Sequence, residues 1–80
     1  MMEAFGIVNK DIITDPELSM QAKAVYSILT TYCNKQRTCF PSINTIADLC
    51  DVHPRTIHRK IKELKEKGYI KRIGRKFIVK

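Results

Sequence analysis

Apolar positions recur along the chain with two periods, and the switch between them divides it. Leu18, Ala22, Val25, Leu29 and Cys33 keep close to the spacing of one helical face, Tyr26 widens that face, and Ser19 stands where a cap belongs. This predicts a core-supporting helix from 19 to about 32. Asn34 to Thr38 is polar and reads as a loop, followed by a short extended piece at Cys39 and Phe40 that ends at Pro41. Ser42 then caps a helix of about two turns, in which Ile43, Ile46, Ala47 and Cys50 fall at i, i+3, i+4 and i+7. Asp51, Val52 and His53 form a tight connection to a third helix, Pro54 to Lys67. Proline suits its first position because the missing N–H would be unpaired there anyway. Ile57, Ile61 and Leu64 make a narrow apolar stripe on that helix, and Gly68 supplies the stop.

Beyond Gly68 the period falls to two. Tyr69 to Ile73 and Arg75 to Lys80 alternate as paired strands, with Gly74 at the bend. At the other end, the apolar run Phe5 to Val8 and the stretch Asn9 to Pro16 read as an extended arm lying on the core. The expected fold is mainly α with a small β-hairpin: an arm over 1–17, three helices within 19–67 and a hairpin over 69–80, in one domain spanning 1–80. Eighty residues lie near the lower size at which a hydrophobic core alone sustains a fold, and the 44% apolar content suffices for a small globule.

Charge changes the picture more than composition does. Residues 1–34 carry a net charge of −2, whereas residues 35–80 hold thirteen bases against four acids, a net of +9. So one-sided a field fits a polyanion, because each neutralised phosphate releases counterions; a solvated, charged surface is the plain alternative. Cys33, Cys39 and Cys50 are odd in number and show no CxxC spacing, so they point to reduced, cytoplasmic residence and not to a disulfide framework or a zinc ribbon. With His53 and His58 they make no metal-ligand pattern, and no metal or cofactor is expected. No basic segment followed by an apolar run opens the sequence and no stretch approaches the roughly 20 apolar residues of a membrane span, so neither secretion nor membrane insertion is expected. No nucleophile with a nearby base, paired carboxylates or glycine-rich phosphate loop is visible, so the expectation is a non-enzyme.

A helix enters the major groove of DNA when one face anchors it in a core and the other offers donors. The third helix has that division: Arg55, Thr56, His58, Arg59, Lys60 and Lys62 lie outside its apolar stripe, with Arg55, Thr56 and Arg59 as the expected main readers. Glu63 and Glu66 come only in its second half, the reverse of what a helix dipole favours in a merely solvated helix, where pairs such as Lys62 and Glu66 would otherwise explain the charges. Ser42 and Asn44, where the second helix begins, are further candidates. In the hairpin Lys71, Arg72, Arg75 and Lys76 cluster about the bend, placed for phosphates or a minor groove; cations on strand edges also serve to block aggregation.

The segments LSMQAKAVYSIL, CFPS, IADLCDV and TIHRKIKELKEKGYI, in this order and spacing, resemble the winged helix-turn-helix domains of bacterial, plasmid and phage replication initiators and transcription regulators. The likeness spans most of the chain. It implies a three-helix winged helix-turn-helix, double-stranded DNA as partner and the helix from Pro54 as the major-groove reader. Asp51 stands where such domains often have glycine, and His53 where a Ser or Thr cap is common, which weakens the expected start of the helix. The resulting function is sequence-specific duplex binding in transcription regulation or replication initiation. A protein–protein interaction module of a larger replication or regulatory protein is the alternative. RNA ranks third for want of clustered aromatics. A homodimer, through the 19–32 helix or the arm, and membership of a larger assembly both stay open, although no heptad is visible.

Overall fold

A computed structural model describes residues 9–80. Its elements, in chain order, are α1 (Lys10–Ile13), α2 (Met20–Tyr32), β1 (Thr38–Cys39), α3 (Ile43–Cys50), α4 (Pro54–Glu66), β2 (Ile70–Ile73) and β3 (Lys76–Val79). The result is four helices with a small antiparallel sheet in the order β1-β3-β2.

The one departure in kind is at the start. Asn9 to Pro16 is not extended: Asn9 Oδ1 accepts from the Asp11 amide at 3.0 Å, caps the single turn of α1, and Ile12 is buried beneath it. Phe5 to Val8 lie outside the described residues. The Tyr26 hydroxyl accepts from the Asn9 amide at 3.1 Å and donates to the Lys80 carbonyl at 2.6 Å, so one buried phenol ties the two ends of the described chain to α2.

Ser19 caps α2 by accepting from the Ala22 amide at 3.1 Å, and Leu18, Ala22, Val25, Tyr26, Leu29 and Cys33 are all buried. Ile46 and Ala47 of α3 and Ile57, Ile61 and Leu64 of α4 meet that face, and Phe77, Val79 and Ile70 close the core from the sheet. β1 is held by a loop that organises itself around one side chain. Asn34 Oδ1 accepts from the Gln36 and Thr38 amides at 2.9 and 3.1 Å, and the chain returns through Arg37 at φ 63°.

Helices α3 and α4 end in the same way. After α3 the Val52 amide bonds the Ala47 carbonyl at 3.1 Å and the Asp51 amide the Asp48 carbonyl at 3.3 Å; after α4 the Tyr69 amide bonds Leu64 at 3.0 Å and the Gly68 amide Lys65 at 2.9 Å. Each is a Schellman closure around a left-handed residue, Asp51 at φ 55° and Gly68 at φ 77°. The turn before α4 therefore keeps the geometry that glycine serves, with aspartate bearing the steric cost. Nor is the start of α4 uncapped: His53 Nδ1 accepts from the Arg55 amide at 3.0 Å and does the work of a Ser or Thr.

The corner after α4 is pinned to the segment before α2. Lys67 Nζ lies 2.9 Å from Asp15 Oδ2 and 3.3 Å from Glu17 Oε1, while the Tyr69 hydroxyl donates to Asp15 Oδ2 at 2.5 Å. The Tyr69 hydrogen bond, with Lys67 beside it, lowers the Asp15 carboxyl from 3.8 to about 2.

Two outcomes follow for the variant proteins. Asp51→Gly should stabilise the domain by about 0.5–1 kcal/mol in chemical denaturation, as the left-handed penalty for aspartate exceeds the entropy glycine loses. Asp15 has a depressed folded pKa, so its contribution is full above the unfolded value and lost as pH falls through the folded one. Asp15→Asn should be less stable than wild type at pH 7, and its acid-unfolding curve should be flatter between pH 3.8 and about 2.

Candidate nucleic-acid interface

Helix α4 carries the site because so little of it is buried. Turning 100° per residue from Ile57, Ile61 and Leu64, the opposite side of the helix holds Arg55, Arg59 and Lys62 in line, with His58 and Lys65 on one flank. All five are exposed. No ion pair engages Arg55, Arg59, Lys62 or Lys65 among the described residues, and the Lys62–Glu66 pair of a merely solvated helix is not formed. The first half of this helix, basic or polar throughout, therefore turns Arg55, Arg59 and Lys62 outward in one line, which the exposed Glu66 continues at its far end, while Lys65 stands on the flank of His58. The available signal for Lys65 was its place seven residues beyond His58, two helical turns along the same flank.

Two of the candidate residues on this helix, one of them an expected main reader, face another way. Thr56 and Lys60 are half-buried and line a groove of about 390 Å³ between α2, the end of α3 and the start of α4, together with Ala24, Ile28, Leu49 and Val52. Lys60 Nζ turns to Glu63 Oε1 at 3.7 Å. The reason is angular: positions 56, 60 and 63 fall on the flank that α2 covers, so non-apolar identity alone did not place them outward.

Glu63 explains why that flank is fixed. Its carboxylate accepts from the Ser19 amide at 2.8 Å and from the Ser19 hydroxyl at 3.1 Å, so α4 supplies to the N-terminus of α2 the acceptor that a capping box would draw from α2 itself. The Ser19 amide bond holds the Glu63 carboxyl below its usual range. The link reinforces the rotation that the apolar stripe of α4 sets, which keeps Arg55, Arg59 and Lys62 outward.

At the start of α3, Ser42 and Asn44 are exposed. Ser42 Oγ accepts from the Thr45 amide at 3.0 Å and lies 2.9 Å from Thr45 Oγ1, so its hydroxyl serves first as the cap.

The hairpin does not present its cations as one cluster. Gly74 (φ 59°) and Arg75 form a two-residue turn, and side chains alternate up the strands on either side. Arg72 is opposite Phe77 on the inner face, its guanidinium 5.0 Å from the ring centre, whereas Lys71 and Lys76 lie on the outer face with Ile73 and Ile78. Arg75 is at the tip. Period-two alternation splits what sequence proximity had grouped.

Chemistry other than binding finds little to work with. Cys33, Cys39 and Cys50 are free thiols; burial raises all three, Cys39 to about 12, so none is a ready nucleophile. Among the described residues no group of three or more His, Cys, Asp or Glu side chains is placed to hold a metal ion, and no helix is long and apolar enough to cross a membrane.

A three-helix unit whose last helix is anchored on one side and cationic on the other is the helix-turn-helix arrangement, a DNA-binding and not a catalytic fold. Residues 17–70 match a family model described as a helix-turn-helix domain, and the chain belongs to that family. The match runs from α2 into the first residue of β2, leaving the rest of the hairpin beyond it. No curated protein and no solved structure matches the chain.

The Glu63–Ser19 link is open to a direct check. Glu63→Ala should cost about 1–2 kcal/mol of stability, as loss of a charged acceptor at a helix N-terminus does. With Ser19→Ala the losses should be less than additive in a double-mutant cycle read by denaturant unfolding.

Proposed function

We propose that this domain binds double-stranded DNA sequence-specifically, with α4 in the major groove, and serves transcription regulation or replication initiation in the cytoplasm. The observation that carries the reading is the stripe Arg55–Arg59–Lys62, exposed and without ion pairs on a helix locked in rotation. Arg55 and Arg59 are of the type that donates two hydrogen bonds to guanine O6 and N7, while His58, Lys62 and Lys65 suit flanking bases or phosphates. Asn44 and the first amides of α3 would meet the backbone as the preceding helix of such a pair does, and Arg75 at the wing tip, with Arg72 on the inner face below it, extends the phosphate contact. Thr56 and Lys60 act in support of the helix position.

A second reading, a protein-interaction module, draws on the apolar groove that Thr56 and Lys60 rim. The two readings diverge under selection from a random duplex pool: a DNA reader enriches a defined motif, a protein-docking domain does not.

On the selected duplex, log K should fall linearly with log salt at a slope of about −0.9 per phosphate contacted. Arg59→Ala should cost about 1–3 kcal/mol and relax preference at one base position, whereas Arg75→Ala should weaken all sequences alike. Lys60→Ala should leave base preference intact. Unchanged selectivity in Arg59→Ala would remove α4 from the reading role.

A further inference from the structure

The outer face of the sheet is a second surface with its own chemistry. The register sets Thr38 and Lys71 on either side of Ile78, and Ile73 opposite Lys76; carried one residue further, it brings Phe40 beside Lys76. These six side chains alternate away from Cys39, Ile70, Phe77 and Val79, which are buried. They form two rows, Thr38–Ile78–Lys71 and Phe40–Lys76–Ile73. Phe40 is 66% exposed and Ile73 61%, one on each side of a lysine. Helices α2 and α4 pack on the other face of the sheet, so this surface is separate from the stripe on α4.

Charge narrows what can cover it. Residues 68–80 contain Lys71, Arg72, Arg75, Lys76 and Lys80 and no acid. A neutral apolar partner would strand Lys71 and Lys76 without counter-charge, and a simple polyanion would leave Phe40 and Ile73 in water. An occupant that satisfies both carries regularly spaced negative charge and open flat apolar faces. Base pairs in a duplex keep those faces in the stack, whereas an unpaired strand offers them, and stacking on an aromatic ring with a basic track alongside is how such strands are held.

We propose that the outer face of the β1–β3–β2 sheet binds an unpaired DNA strand, one base stacking on Phe40 and the next lying against Ile73, with Lys71 and Lys76 on the phosphates; DNA is the source that the helix-turn-helix family favours. The site stands apart from the duplex reading of α4 and does not depend on it. The chain has no tryptophan, so Phe40→Trp in the full chain installs a single fluorescent reporter at the stacking position.

Titration of Phe40→Trp with an oligothymidylate of about a dozen nucleotides should quench the indole. In the otherwise native chain, Phe40→Ala should lower affinity for that oligonucleotide about tenfold, the effect of one lost stacking partner. Removing Lys71 or Lys76 should reduce the salt slope by about 0.7 each, and Phe40→Ala should leave duplex affinity unchanged. An oligouridylate of the same length separates the two sources of such a strand: tighter thymidylate supports the site, and tighter uridylate overturns its assignment to DNA. The proposal is overturned if the indole is not quenched, or if Phe40→Ala binds oligothymidylate as well as the native chain. It is also overturned if that variant loses duplex and single-strand affinity in equal measure, or if poly-glutamate competes as well as the oligonucleotide, which would make this a surface for an acidic protein. Loss of selectivity at α4 would leave all these results untouched, so the two surfaces fail independently.

Discussion

Ile57, Ile61 and Leu64 are the side chains through which α4 is anchored, and the placement of everything around it follows from that narrow stripe. Each buries enough apolar surface to contribute roughly 1.5–3 kcal/mol, which holds a helix of thirteen residues with most of its circumference in water. A wider apolar face would bury the helix deeper and leave no continuous polar side; a narrower one would not secure it against α2, α3 and the sheet. Three contacts on one narrow face fix where the axis of α4 lies and set its rotation, because turning the helix would bring buried Ile57, Ile61 or Leu64 into water. The bonds from Ser19 to Glu63 reinforce that setting.

The ends of α4 are governed by equally local chemistry. Two Schellman closures, one before it on Asp51 and one after it on Gly68, turn the chain without leaving its final carbonyls unpaired. His53 supplies the start. The cluster of Asp15, Glu17, Lys67 and Tyr69 then joins the far end of α4 to the chain before α2, so the helix is held at both ends and in the middle. The proposed reading role would require such over-determination, since base discrimination depends on paired hydrogen bonds of fixed geometry.

Most of the helical framework was legible in the residues. The caps at Ser19 and Ser42, proline at the first turn of α4, glycine after it and the apolar spacings of α2, α3 and α4 each have a local cause and matched what formed. Legibility failed in two ways: at Asn9 and His53 a local cap was undervalued, and on α4 the setting of a side chain depends on an element distant in sequence. Asn9 to Ile13 formed a helical turn because Asn9 caps it and Ile12 found the core. His53 was discounted as a cap although its ring nitrogen reaches the Arg55 amide. Polarity alone suggests an outward setting for Thr56 and Lys60, whereas both are half-buried on the flank of α4 that faces α2.

The sequence by itself determined the class of the domain: which segments are helical, where they stop, that its second half is cationic, and that one helix carries an exposed basic side. These are matters of period, propensity and charge, all set within a few residues. Only the tertiary structure decided which cations share a surface. It separated Lys60 from Arg59 by closing α2 over one flank, and it divided Arg72 from Lys71 and Lys76 by pairing β2 with β3. It also paired Thr38 and Cys39 with Ile78 and Phe77, across more than thirty residues. Period places a side chain on its own element, but which way that element faces is fixed by the packing of the others.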